Sequence, residues 1–274
     1  MHLKGKLTCV GVSDAGRIRE HNEDTIGTDA DIGLVVLADG MGGYKAGEVA
    51  SGIAVRTIMG LLKEAVERED LTIRDPSSSL SRPGILLRDA IHRANKIIYQ
   101  TARTQANCEG MGTTVVAGLF FDDKLTIAHV GDSRLYRMRG GDFTQVTQDH
   151  SLLQELVARG FYTPEEAQHA AAKNYVTRAL GVESTVEVDV TEIPVEKGDL
   201  FLLCSDGLSD MVDDDDIKLT INTFGANLQT LARQLVLLGN DNGGRDNISL
   251  VLVKVVEAFP ARRRVVDRIL GMFG

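Results

Sequence analysis

Short apolar blocks, most of them closed by Asp or Gly, run through this chain. Leu7–Asp14 and Gly33–Asp39 carry the β-rich pattern of strands and deliver a carboxylate at their ends. Further strands are predicted over Thr113–Phe121, Lys124–Val130 and Ser133–Arg139, with tight turns at Asp122-Asp123 and Gly140-Gly141. Others are predicted over Val186–Ile193, Asp199–Ser205 and Asn247–Val256. The period lengthens to that of a helix over Gly47–Glu67, where Val49, Ile53, Ile58, Leu61, Leu62 and Ala65 recur. It does so again over Ile85–Gln105, where Leu87, Ile91, Ala94 and Ile98 share a face. Helices are expected near Asp214–Thr223 and Asn227–Gly239, and the acidic run Asp213–Asp216 reads as a helix N-terminus, where negative charge is favourable. Asp70–Gly84, with DPSSSLSRPG, is a loop by composition. Asp149–Gly181 is polar and Ala-rich, interrupts the strands and reads as a small flap. Paired helices between groups of strands predict a layered α+β fold, not alternating βαβ units.

Composition narrows the class. The 274 residues are 43% hydrophobic and 25% charged, with no linker-like segment between the patterned regions, so one domain is expected. Thirty basic and 39 acidic residues leave a formal charge of −9, which argues against nucleic acid as a general partner. Cys9, Cys108 and Cys204 are odd in number with no C-x-x-C pair, and read as free thiols of a reducing cytoplasm. No stretch has the pattern of a signal peptide or a membrane-spanning helix.

The chemistry sits in five acidic stretches: SDAGRIREHNED (13–24), VLADGMGGYKAGEVAS (36–51), AHVGDSRLY (128–136), LLCSDGLSD (202–210) and GGRDNISLVLV (243–253). Four of them place an Asp where a β-rich apolar run starts or ends, and three set Gly beside it. A carboxylate at a strand end is exposed yet rigidly held, and Gly lets a ligand approach the backbone. Any one such Asp reads as a turn former. Several converging carboxylates suit hard divalent cations bound through oxygen. Glu23 and Asp24 are adjacent, so in extended chain they point to opposite sides. No His/Cys set has zinc spacing, although His129 lies beside GDSR.

In order and spacing these stretches resemble the metal-dependent type-2C protein phosphatases, the PPM family, in their compact bacterial form. The resemblance runs from about Leu7 to Val255. It implies an αββα sandwich of two antiparallel β-sheets flanked by helix pairs, with a flap over about 149–181. A catalytic domain over 1–257 and a short basic tail over 258–274 follow. It also implies a serine/threonine phosphatase that hydrolyses phosphoproteins by in-line attack of a dimetal-bound hydroxide, without a phospho-enzyme. By resemblance Glu23, Asp24, Asp39, Gly40, Asp206 and Asp246 hold two Mn2+ or Mg2+ ions, with Asp39 bridging. Asp132 resembles the ligand of a third, weaker ion shared with Asp206, the alternative being a plain β-turn at Gly131-Asp132. Arg19, three residues after Gly16, matches the phosphate-binding Arg, and a guanidinium fork suits two phosphate oxygens. Arg17 reads as a solvated charge, Asn22 as a residue orienting the loop, and Arg245 as a local partner of carboxylates.

The chain departs from the pattern at three places. Tyr44 and Met41 stand where relatives carry His, so no general acid is named. His169-Ala170-Ala171-Ala172 replaces the usual His-Pro in the flap. The tail, with Val265, Val266, Ile269, Leu270 and Phe273 on one helical face and Arg around them, lies beyond the resemblance. It reads as a short packed helix or frayed end, with an anionic membrane as the alternative. The expected protein is a cytoplasmic monomer acting on substrates of a cognate Ser/Thr kinase. The rival reading is a catalytically weak phosphatase-like regulator that binds phosphoproteins, and a third is a sporulation-type or stress-type regulatory phosphatase.

Overall fold

The computed structural model describes residues 3–43, 46–73, 75–163, 166 and 175–261. Tyr44, the flap segment holding His169–Ala172, and the amphipathic tail from 262 onward lie outside the described residues.

Two antiparallel sheets stack face to face. The first has the order β1 (Leu7–Asp14), β11 (Ile248–Val255), β10 (Leu200–Cys204), β7 (Arg134–Arg139), β8 (Asp142–Gln145). The second runs β2 (Asp24–Asp29), β3 (Leu34–Met41), β5 (Val115–Phe121), β6 (Lys124–Val130), β9 (Asp189–Pro194), with the short β4 (Gly112–Thr113) pairing β3. Strand alternation divides the core into three layers. Val35 and Leu37 of β3 meet Phe201 and Leu203 of β10 and Val251 and Val253 of β11 between the sheets. Phe120 packs edge-on to Phe201 there, with ring centres 5.5 Å apart. The alternate residues Leu34, Val36 and Ala38 face α1 (Ala46–Arg68) and α2 (Arg82–Thr104). On the opposite side Leu202, Cys204, Leu250 and Leu252 face α5 (Asp214–Phe224) and α6 (Leu228–Asp241), which follow the single-turn α4 (Asp206–Ser209). The result is the layered α+β sandwich of helix pair, sheet, sheet, helix pair.

Local chemistry explains most boundaries. Asp122 and Asp123 both take positive φ, 51° and 52°, as a two-residue hairpin turn requires. Asp213 caps α5, its side chain accepting from the Asp216 N–H, so the acidic run is a helix start. Ser81 caps α2, accepting from Gly84, with Pro83 in the first turn. That helix therefore starts inside the stretch read as loop.

Two expectations are corrected. The buried face of α1 is built from Ala46, Gly47, Ala50, Ser51, Ala54, Val55, Ile58, Leu62 and Val66, while Val49 and Leu61 are exposed. Small residues let the helix lie close on the sheet, and hydrophobicity alone does not mark that face. Strands β2 and β8 were not expected. Both are polar, β2 reading DTIGTD and β8 DFTQ, and both sit at sheet edges. The flap opens with α3 (Leu152–Ala158), capped by Ser151. Among the described residues no helix is long and apolar enough to cross a membrane.

Candidate metal centre

The carboxylates gather where β2, β3, β10 and β11 end together. Antiparallel pairing sets Asp24, the first residue of β2, directly opposite Asp39 near the end of β3. Asp206 opens α4, with Ser205 between it and β10, and Asp246 lies just before β11, with Asn247 between. Asp132 enters from the turn between β6 and β7 and is buried.

The electrostatics of this group are strained. Burial pushes Asp24 up to about 7, against the hydrogen bonds of Ser249 and Ser205 that favour its charged form, and the Asp246 charge adds to the rise. Burial, then the charges of Asp132, Asp210, Asp246 and Asp24, push Asp206 up to about 8. Burial, with Asp149 and Asp210 adding, pushes Asp132 up to about 6. Asp39 is held well above the carboxylate range by burial and by Asp24, Asp206, Asp132 and Asp246 together. It feels all the others, as a carboxylate at the middle of the cluster must. Asp24 Oδ1 and Asp206 Oδ1 are buried without a hydrogen-bond partner. Oxygens that repel one another and lack donors fit a multivalent cation, and an all-oxygen donor set fits magnesium or manganese.

Glu23 is held through its backbone. Its backbone N–H donates to Asn247 Oδ1, and its carbonyl accepts from Gly40 N and Ser51 Oγ. Its side chain lies over the first turn of α1, where a Cβ on Gly47 would come 2.7 Å from the carboxyl carbon. Glu23 and Asp24 thus diverge, as an extended pair does. At Gly40 any Cβ would fall 2.2 Å from the Gly47 carbonyl and 2.6 Å from that of Glu23, so only glycine lets β3 meet α1 here.

Arg19 is exposed at the mouth, and its Nη2 donates to Asp246 Oδ2 at 2.6 Å. Arg17 is also exposed, and its backbone N–H donates to Gly244 O at 2.7 Å. Asn22 orients the loop as expected, its amide donating to Ser13 Oγ and its Oδ1 accepting from Asp24 N.

The Protein phosphatase 2C family matches residues 17–240. This chain belongs to that family. Among its relatives it is similar to the serine/threonine phosphatase stp of Listeria monocytogenes, with 39% identity over 245 residues covering 88% of this chain and 93% of that protein. Its fold is similar to the crystal structure of the Mycobacterium tuberculosis serine/threonine phosphatase PstP/Ppp, with TM-score 0.80 and 36% identity over 92% of this chain and 99% of the solved one. It is likewise similar to a PstP catalytic domain solved in complex with two manganese ions, with TM-score 0.77 and 37% identity over 92% and 99% of the two chains.

Within this protein phosphatase 2C fold, three features come together only in the folded chain. Asn247 is buried, and its amide nitrogen donates to the carbonyls of Ala15 and His21 while its oxygen holds Glu23 N. It sutures the first acidic stretch to the last. Asp210 follows Asp206 by one helical turn and adds its charge to Asp132 and Asp206. His129, His150 and Asp189 meet within 4.8 Å although far apart in sequence. Each member has a protein partner: His129 Nε2 faces Gln148 O, His150 Nδ1 accepts from Gly131 N, and the Arg178 guanidinium donates to Asp189. The Arg178 guanidinium places a fixed cation against this group.

The Cys204 thiol does not compete for the chemistry. Cys204 is buried and its thiol is pushed up to about 12, mainly by that burial, so it stays protonated and inert.

Proposed function

We propose that this chain is a metal-dependent serine/threonine protein phosphatase whose two core ions are held by Glu23, Asp24, Asp39, the Gly40 carbonyl, Asp206 and Asp246. The observation that carries the proposal is the buried, mutually repelling group of Asp24, Asp39 and Asp206, with unpartnered oxygens on Asp24 and Asp206. Such a group is costly to fold unless cations neutralise it. Bound there, Mn2+ or Mg2+ would supply an acidified water and positive charge for phosphoryl transfer.

The protein's own residues supply the rest. Asp39, at the middle of the cluster, orients both halves of the site. Arg19 reaches over the mouth, with a planar fork suited to two phosphate oxygens. Exposure of its side chain leaves it free to exchange Asp246 for a substrate phosphate. Asp132 serves a third, weaker ion. The open, acidic mouth suits a phosphoserine or phosphothreonine on an extended segment of a protein, such as the substrates of a Ser/Thr kinase. We place the protein in the cytoplasm as a monomer, acting in signal transduction. Residues 1–257 form the catalytic domain, with a flap over about 149–181 and a tail over 258–274.

The test is hydrolysis of p-nitrophenyl phosphate and of a phosphothreonine peptide with and without manganese. Turnover of both, lost in EDTA and restored by manganese or magnesium, is expected. Tight phosphopeptide binding without turnover under any divalent ion would instead favour a phosphoprotein-binding regulator.

A further inference from the structure

The flap is rooted beside the Asp132 turn, where Arg134 holds Asp149 and His150 joins the flap to Gly131. His150 N–H donates to the Gly131 carbonyl at 3.0 Å, and Gly131 N–H donates back to His150 Nδ1 at 3.1 Å. This reciprocal pair fixes the His150 tautomer: Nδ1 accepts, so the proton sits on Nε2, 3.2 Å from Asp189 Oδ2. The ring stacks on His129 at 4.7 Å, and Arg178 from the far root of the flap donates to Asp189 Oδ1 at 3.0 Å. The His150 carbonyl accepts from Thr177 N at 2.8 Å, so both roots close on the same residue.

Gly131 has no slack. Its φ is +107°, and a Cβ there would stand 2.6 Å from the side chain of Thr114. Thr114 in turn gives its N–H to the Asp39 carbonyl at 2.8 Å and shares a hydrogen bond with Ser133 Oγ at 2.7 Å. The chain of contacts therefore runs from flap root to Gly131, to Thr114, to Asp39.

We propose that His150 is a positioning residue that locks the Gly131–Asp132 turn and so sets the affinity of the weaker ion that Asp132 serves. This rests on the reading of Asp132 given above. Outer-shell partners of metal ligands are commonly worth about 10–100-fold in affinity. The two functions of the imidazole are separable. His150→Asn keeps an acceptor near the Nδ1 position for Gly131 N–H. His150→Gln reaches toward Asp189 and abandons Gly131.

The test compares full-length wild type, His150→Asn, His150→Gln and Asp132→Ala, each confirmed as folded by circular dichroism. Exchange of the Gly131 amide in EDTA reads the lock without metal or turnover. Manganese titration by calorimetry and the manganese required for half-maximal turnover read its consequence. In His150→Gln the Gly131 amide should exchange faster and the manganese requirement should rise about tenfold, toward Asp132→Ala, with the two tighter ions retained. In His150→Asn both should remain within about twofold of wild type. Equal behaviour of the two His150 variants, in exchange or in manganese requirement, overturns the role of His150. A Gly131 lock that separates them while Asp132→Ala leaves the titration unchanged overturns the third-ion reading instead.

Discussion

Arg19 donates to Asp246 Oδ2 at 2.6 Å, so the group read as phosphate ligand rests on a group read as metal ligand. The other oxygen of that carboxylate accepts from Asn247 N at 2.8 Å. A cation on Asp246 and a phosphate under Arg19 would draw the two apart without moving the backbone. The pairing raises the Arg19 pKa, chiefly through this hydrogen bond, and keeps the guanidinium charged at any working pH.

Arg19→Ala should therefore lower kcat/KM for a phosphothreonine peptide by about 10–100-fold, the usual worth of a charge-assisted hydrogen bond to phosphate. The pair is exposed, worth about 0–1 kcal/mol, so the melting temperature should move by less than about 4 °C. Arg17→Ala should leave kinetics near wild type. Steady-state kinetics showing the opposite ranking would mean that Arg17 is the phosphate ligand.

Asp39→Asn and Asp206→Asn should each lower turnover by on the order of 10³-fold, as loss of a group that stabilises developing charge does. Their effect on folding should have the opposite sign. Each removes one member of a buried group of like charges, so in EDTA each should melt at or above the wild-type temperature. Paired activity assays and EDTA melts check this, and a variant both active and unchanged in metal binding would remove that residue from the centre.

Much of this was legible in the sequence because strand ends announce themselves. Asp39 closes an apolar run and Asp206 follows one, and such continuous apolar runs mark the central strands of both sheets. The register that sets Asp24 against Asp39 was not legible, because β2 is a polar edge strand with no apolar alternation. Neither was the packing face of α1, where small residues and not large ones meet the sheet. Asn247 looked like any polar residue beside an Asp. Its three partners, Ala15, His21 and Glu23, come from a segment more than two hundred residues away, and only the closed fold shows them. The His129–His150–Asp189 network escaped for the same reason.

The metal-free protein should lose stability as pH rises. An ordinary Asp titrates near 3.8, whereas burial and repulsion place Asp132 at about 6, Asp24 at about 7 and Asp206 at about 8. Between those limits the folded state binds more protons than the unfolded chain, so deprotonation favours unfolding. Stability from these groups is full below about pH 4 and is lost through pH 8. Melts in EDTA from pH 5 to pH 8.5 should fall steadily, and saturating manganese should flatten the curve. A flat EDTA curve would mean that the carboxylates are not in mutual repulsion.

Asn247→Ala should separate fold from metal. It strands the Glu23 N–H and takes donors from two carbonyls, all partly buried, a loss of about 2–4 kcal/mol. For a domain of this size that is a fall of about 5–15 °C in melting temperature. Because Asn247 touches loops and not cations, the fall should appear in EDTA as well as in manganese, unlike the Asp39→Asn effect. Manganese affinity should weaken as well, since the first acidic stretch is no longer tied to the last. Melting curves at both metal conditions, with calorimetric titration of manganese, check the two effects together. A fall seen only with manganese would make Asn247 part of the metal shell and not the suture between the two loops.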